Sequence, residues 1–296
     1  MKTKLSEQPA KTKNTKISRT DPDSGYMVRE GKPKSFFYLD HRTVDGRNAI
    51  ITDSYATPAN LHDSRPYLDR LDRQCERFGF DVWGVGLDAG YYTAGICKGL
   101  EDRGIYGVMG YRRPNKPKGY LPKRAFTYDA ETNTYRCPQG QQLTYATTNR
   151  LGYREYKSNP AHCKDCPLLS QCTRSANHVK VLTRHVWQDS KDRTDSYRLT
   201  PWGKALYKRR QDVERSFADA KQLHGHRYAR LRGLSIVREQ CLLAAAAQNM
   251  KKIAQILARL LWLKSLGIPG LQRPIRKWAQ KLVDLACWES GPGCGR

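Results

Sequence analysis

The sequence predicts an α/β fold, and three observations carry that prediction. Residues 68–109 alternate between helical and strand-like periods. Upstream of them, two β-rich runs flank an Asp-Gly pair. From Pro201 onward the pattern is helical. With 39% hydrophobic and 27% charged residues in 296, the chain can bury a real core, which excludes a fully disordered protein.

The elements follow in order. Residues 1–20 are polar and Lys-rich without hydrophobic period, and read as a disordered linker. They contain no apolar stretch of the kind a secretory signal uses. Phe36–Leu39 leads to Val44, Asp45-Gly46 punctuates, and Ala49–Thr52 follows, which predicts a hairpin. Thr57–Ser64 reads as a loop in which Asp63 or Ser64 caps the next helix. Leu68, Leu71, Cys75 and Phe78 share one helical face. Val82–Leu87 is a short strand ending at Asp88, Thr93–Arg103 a helix, and Ile105–Met109 another strand. Strands separated by helices in this way give α/β architecture.

Residues 111–200 are rich in Tyr, Arg, Pro and Gly, lack helical period, and should form short strands and loops. Thr200-Pro201 predicts an N-cap followed by proline in the first turn, opening a helix to about Leu223 that Gly225 stops. A second helix spans about Ser235–Leu263, and a short one Ile275–Cys287. The expected organisation is a linker at 1–20, the first part of a core at 21–110, a basic insertion at 111–200, core-completing helices at 201–265 and a tail at 266–296.

Charge narrows the function. The net charge is +25, from 53 basic and 28 acidic residues. The balance is +2 over 1–110, +10 over 111–200 and +13 over 201–296. So large an excess points to a polyanion, most often nucleic acid. No apolar run reaches the length of a membrane span. Nine cysteines, an odd number, argue against a disulfide framework.

Placed at about 100° per residue, Tyr207, Arg210, Glu214 and Lys221 fall within about 60° on the helix after Pro201. A solvated face or an Arg210–Glu214 ion pair would produce such a stripe too. The spacing Tyr-x2-Arg-x3-Glu-x6-Lys, however, resembles the signature of one branch of bacterial insertion-sequence DDE transposases. Arg227–Leu234 (RYARLRGL), Val85–Tyr91 (VGLDAGY) and Thr57–Ser64 (TPANLHDS) are also similar to that family. The resemblance covers about Asp21 to Lys252.

The resemblance implies a ribonuclease-H-like core. It also implies metal-dependent DNA strand cleavage and transfer, in which carboxylates hold two Mg2+ or Mn2+ ions. By resemblance, Asp88 and Glu214 are the second and third catalytic and metal-holding acids, and Tyr207, Arg210 and Lys221 contact DNA phosphate. Asp88 ending a strand suits this, although a plain turn aspartate is the alternative. The implied partners are transposon ends and target DNA, with no membrane, room for a homo-oligomer, and a cytoplasmic, nucleoid-associated place in a bacterium.

No Asp-Gly-Thr-like strand precedes Asp21, and Asp40, Asp45 and Asp53 match no catalytic motif. The expectation is therefore a core lacking its first strand and first acid: an N-terminally truncated transposase that binds DNA without turnover. A non-catalytic DNA-binding remnant and a zinc-ribbon nucleic-acid module stay open beside it. Cys137, Cys163, Cys166 and Cys172 contain one CxxC half-site and are candidates for a structural Zn2+, with His162 and His178 as substitutes. Reduced thiols without metal are the alternative. Cys75 and Cys241 read as core, and His62, His224 and His226 have no evident partner.

Overall fold

A computed structural model describes residues 16–28, 31, 33–111 and 119–265. Most of the linker expected at 1–20 and the helix expected at Ile275–Cys287 lie outside the described residues. The chain forms two compact units. One is built from residues up to Leu61 together with those from Gln211 onward, and the other from His62–Arg210.

The first unit is an antiparallel sheet of β1 (Gly25–Met27), β2 (Ser35–Val44) and β3 (Ile51–Pro58), in that spatial order. The expected hairpin is β2–β3, in register from Tyr38 opposite Pro58 to Thr43 opposite Asp53. Its connection is longer than a two-residue turn: the Asp45 carboxylate accepts from the amides of Arg47 and Asn48, and the Asp45 amide bonds the Ile50 carbonyl. Thr57 and Pro58, expected in a loop, instead end β3 opposite Leu39 and Tyr38, and the Ala59 amide still donates to the Phe37 carbonyl at 3.0 Å.

Two helices cover this sheet, α7 (Gln211–Leu223) and α8 (Leu234–Ser265). Val237 and Cys241 of α8 pack on Ala56 of β3. Gly225 at φ 62° stands just past α7, as expected of a stop. Among the described residues, no helix is long and apolar enough to cross a membrane.

The second unit opens with α1 (Tyr67–Phe78). Its cap position is Pro66, with no side-chain cap, rather than Asp63 or Ser64. Then come β4 (Gly84–Leu87), α2 (Ala94–Glu101) and β5 (Tyr106–Met109). β4 and β5 pair in parallel around the α2 crossover, the α/β motif the alternation predicts. Thr93 caps α2 by accepting from the Ile96 amide. Leu71 of α1 packs with Ile96, Cys97 and Leu100 of α2 and with Ile105 and Met109.

Residues 127–185 make a five-stranded antiparallel sheet: β6 (Thr127–Asp129), β7 (Thr134–Arg136), β8 (Gln142–Thr148), β9 (Tyr153–Ser158) and β10 (Val181–His185). Its core is aromatic. Tyr135 and Tyr156 meet at 5.1 Å between ring centroids, and Phe126, Leu143 and Leu182 close around them. The buried hydroxyl of Tyr156 and that of Tyr128 both donate to Asn133 Oδ1, at 2.7 and 2.9 Å. Two one-turn helices follow β9, α3 (Pro160–Cys163) and α4 (Leu169–Cys172).

The sequence reading contains no counterpart of α5 (Gln188–Tyr197), a polar helix without an apolar stripe. It is held to α2 by Glu101, which accepts from Ser190 and from Arg193. The last helix of this unit, α6 (Pro201–Arg209), has the expected cap: Thr200 Oγ1 accepts from the Gly203 amide at 3.0 Å, with Pro201 in the first turn.

Candidate functional site

The expected helix from Pro201 to Leu223 is interrupted. At Arg210 the amide bonds the Tyr207 carbonyl at 3.1 Å, an i to i−3 closure that tightens and ends α6. α7 starts at Gln211. Tyr207, Arg210, Glu214 and Lys221 are thus not a stripe on one helix. Tyr207 lies in α6 and Arg210 caps it, while Glu214 and Lys221 belong to α7.

Within the second unit, Asp88, Tyr207 and Arg210 come together although about 120 positions separate them in sequence. Asp88 follows β4, and its Oδ1 accepts from the Ala89 amide at 2.8 Å, opening a single turn of 3-10 helix. Its side chain remains 68% exposed. Arg210 Nη1 stands 4.0 Å from Asp88 Oδ1, and the guanidinium lies 5.2 Å from the centre of the Tyr207 ring. Gly110, just past β5, makes room for this arrangement. A Cβ there would fall 2.8 Å from Tyr207 Oη and 3.2 Å from the Ala89 nitrogen. A solvent-facing carboxylate beside a stacked guanidinium and a phenol can bind a cation and a phosphate side by side.

In the first unit, Glu214 and Lys221 share one face of α7, two turns apart. They line an open groove of about 430 Å³ with Phe217, Ala218, Gln222 and Arg227. Phe217 also fixes the helix to the sheet, since the Arg42 guanidinium of β2 stacks 4.9 Å from its ring centre.

Arg42 belongs to a network that the sequence reading missed. Its side chain is fully buried, and Nε donates to Asp40 Oδ2 at 2.8 Å. Nη1 donates to Ser216 Oγ of α7 at 3.0 Å. The Gln248 amide, oriented to satisfy both ends, accepts from Arg42 and donates to the Ser216 carbonyl, each at 3.0 Å. Asp40 Oδ1 accepts from Ser54 at 3.1 Å, and Oδ2 meets His226 Nε2 at 3.2 Å. Burial alone would raise the Asp40 carboxyl, but the His226 hydrogen bond and Arg42 outweigh it and hold it below the usual carboxylate range.

Cys241 Sγ lies 3.7 Å from the same His226 nitrogen, and burial, with Asp40 adding, pushes its thiol up to about 12. Among the described residues, Asp40, His226 and Cys241 are the group whose ligand atoms already lie within 4.8 Å of one another. It makes a poor metal site. The guanidinium occupies the carboxylate oxygen, and one imidazole nitrogen faces both other groups. The network instead locks β2 to α7 and to the loop after it, and so sets the groove that carries Glu214. Only the alternation of Asp40, Arg42 and Val44 along a strand hinted at it.

The other expected positions resolve as follows. Cys75 is partly buried against the α1–α2 core and Cys241 is buried, as read. His62 bonds Ser64. Asp21 accepts from the Tyr38 hydroxyl, and Asp23 accepts from the Leu234 amide. Cys137, Cys163, Cys166 and Cys172 are free thiols. Cys137 and Cys172 both pack against the aromatic core of the five-stranded sheet, and no three of the four sulfurs lie within 4.8 Å of one another.

Residues 136–254 match the family model described as the transposase DDE domain. That stretch, about two fifths of the chain, is similar to the transposase DDE domain. No curated protein and no solved structure matches the chain. The matched stretch holds Tyr207, Arg210, Glu214, Lys221 and the four cysteines, while Asp88 precedes it. Mixed α/β structure fits such a domain, and the family normally works with a divalent metal and acts on DNA.

Proposed function

We propose that the chain is a transposase that acts on DNA ends through Asp88 and Glu214, each serving as a carboxylate of a Mg2+- or Mn2+-dependent strand cleavage and transfer. The observation that supports it most is the meeting of Asp88 with Arg210 and Tyr207, three positions picked out by two separate motifs. The donor set fits. Asp88 offers exposed carboxylate oxygen, and hard divalent ions favour oxygen. Such ions would activate the attacking oxygen and relieve charge on the leaving one.

The chain's own residues bind and orient. Arg210 suits bidentate contact with a phosphate, Lys221 a point-charge contact, and Tyr207 a hydrogen bond or a stacked base. The basic stretch 111–200 adds sequence-independent backbone contacts. The substrates of this reading are transposon ends and target DNA, met in the cytoplasm at the nucleoid.

A second reading, DNA binding without turnover, is favoured by the acids of the first unit. Asp40 is committed to Arg42, His226 and Ser54, Asp45 to its turn, and Asp53 is engaged as well. On this second reading two carboxylates alone would hold the ions too weakly for a two-metal step, and the chain would bind DNA without transferring strands.

One experiment tests both readings: a DNA-binding titration against salt, paired with strand transfer in Mg2+ and Mn2+ beside Glu214→Gln. The first reading expects binding that weakens steeply with salt and transfer above the Glu214→Gln blank; transfer no higher than the blank is the outcome of the second. Transfer above that blank would show a third acid at work and remove the second reading. Salt-insensitive or absent DNA binding would remove both.

A further inference from the structure

We propose that Cys137, Cys163, Cys166 and Cys172 bind one structural zinc ion that clips the segment after β9 to the five-stranded sheet. The site is separate from the carboxylate chemistry and does not depend on it.

The first argument is backbone geometry. Cys137 opens the Cys-Pro-Gln-Gly turn between β7 and β8. The Gly140 amide donates to the Cys137 carbonyl at 2.9 Å, and the Cys137 amide donates to the Gln141 carbonyl at 2.9 Å. Cys163 and Cys166 form a second tight turn, in which the Cys166 amide donates to the Cys163 carbonyl at 3.2 Å. The Cys-x2-Cys spacing of the second turn is one that structural zinc sites use. Cys172 ends α4 and supplies the fourth sulfur.

The second argument is stability. α3 and α4 are four residues each, far below the length at which a helix holds itself in water. Of the apolar residues in 159–180, Cys172 packs on the aromatic core of the sheet, and Lys180 stacks on Phe126. A segment with two isolated helical turns and almost no buried apolar surface needs a staple, and a metal can supply one.

The third argument is the surroundings of the sulfurs. All four are half-buried and free of disulfides, and Cys137 and Cys172 pack against one core. Ser158 Oγ lies 3.3 Å from Cys163 Sγ. Lys180 Nζ donates to the Cys172 carbonyl at 2.6 Å, placing a cation beside a site that four thiolates and Zn2+ would leave at a net charge of −2. Soft sulfur donors in a tetrahedral set select zinc over Mg2+. Binding releases the four thiol protons to solvent as four Zn–S bonds form. The sulfurs are spaced more widely than the Asp40–His226–Cys241 group, so the ion must draw the two turns together.

The test uses the full chain, purified in zinc-containing buffer and gel-filtered. Elemental analysis should give about one zinc per chain, and Cys163→Ser and Cys166→Ser should each fall below about 0.2, with Cys75→Ser unchanged. Because a variant could misfold, the unaltered chain gives a second readout. Co2+ added after zinc removal should develop the visible bands of tetrahedral thiolate coordination. In addition, Cys137, Cys163, Cys166 and Cys172 should resist alkylation until a chelator is added. Less than about 0.2 zinc per chain, with alkylation indifferent to chelator, would overturn the proposal. So would a full zinc content that survives Cys163→Ser and Cys166→Ser together.

Discussion

Replacing Asp40 with Asn keeps the shape of the side chain and removes its charge, and the burial of Arg42 sets the consequence. The Arg42 side chain is fully buried and Asp40 is 11% exposed, with 2.8 Å between Nε and Oδ2. Asn at 40 would leave a desolvated guanidinium with neutral partners only, Ser216 and Gln248. Breaking a buried pair from one side costs about 3–5 kcal/mol, against a whole-domain stability of about 5–15 kcal/mol.

The assay is urea unfolding followed by circular dichroism, with hydrogen exchange reporting on β2 and α7. Asp40→Asn should lower the midpoint and deprotect both elements. Asp40→Leu with Arg42→Met removes both charges and should recover most of the loss. The pH dependence has a definite sign. The folded carboxyl is held below its ordinary value, so its contribution is present above about pH 4 and is lost as pH falls through the folded value. The gap between the unaltered chain and Asp40→Asn should therefore close in acid. A loss below about 1 kcal/mol at neutral pH, or a gap that widens in acid, would refute the reasoning.

Two further outcomes follow from the site geometry. Gly110→Ala places a methyl group 2.8 Å from Tyr207 Oη and 3.2 Å from the Ala89 nitrogen, so Tyr207 must move; a thermal melt should show a loss of about 1–3 kcal/mol and DNA affinity should drop, whereas unchanged melting and binding would show that Tyr207 is not seated there. Arg227→Ala removes an exposed cation from the groove of Glu214 and Lys221. It should leave melting unchanged and shallow the slope of log affinity against log salt by about one, and an unchanged slope would take DNA out of that groove.

Much of the fold was legible because local chemistry and packing agree. The Thr200-Pro201 start, the face of Leu71 and Cys75, and the β-rich runs around Asp45 each carry their signal within a few residues. The break at Arg210 was not legible, since Tyr207 through Lys221 keep a continuous helical period across it; one i to i−3 bond ends α6. α5 was hidden for the opposite reason. Its residues are polar all round, and it exists through Glu101, nearly ninety positions upstream. Asp88 was singled out by its motif and by its place at a strand end, and it does follow β4. The partners that fix the groove, Arg42, Ser216 and Gln248, are each ordinary in sequence and become a network only when β2, α7 and α8 pack.

Asp88 and Glu214 are proposed as ligands of the catalytic cation, and metal-directed backbone cleavage checks each of them. Fe2+ replaces Mg2+ at oxygen sites, and with ascorbate and peroxide it cuts the chain beside its ligands. Mass spectrometry of the fragments should show cuts next to Asp88 and next to Glu214, both suppressed by excess Mg2+ and both weakened by Asp88→Asn or by Glu214→Gln. Cuts confined to the neighbourhood of Asp40, His226 and Cys241, or absent at 88 and 214, would rule Asp88 and Glu214 out as ligands.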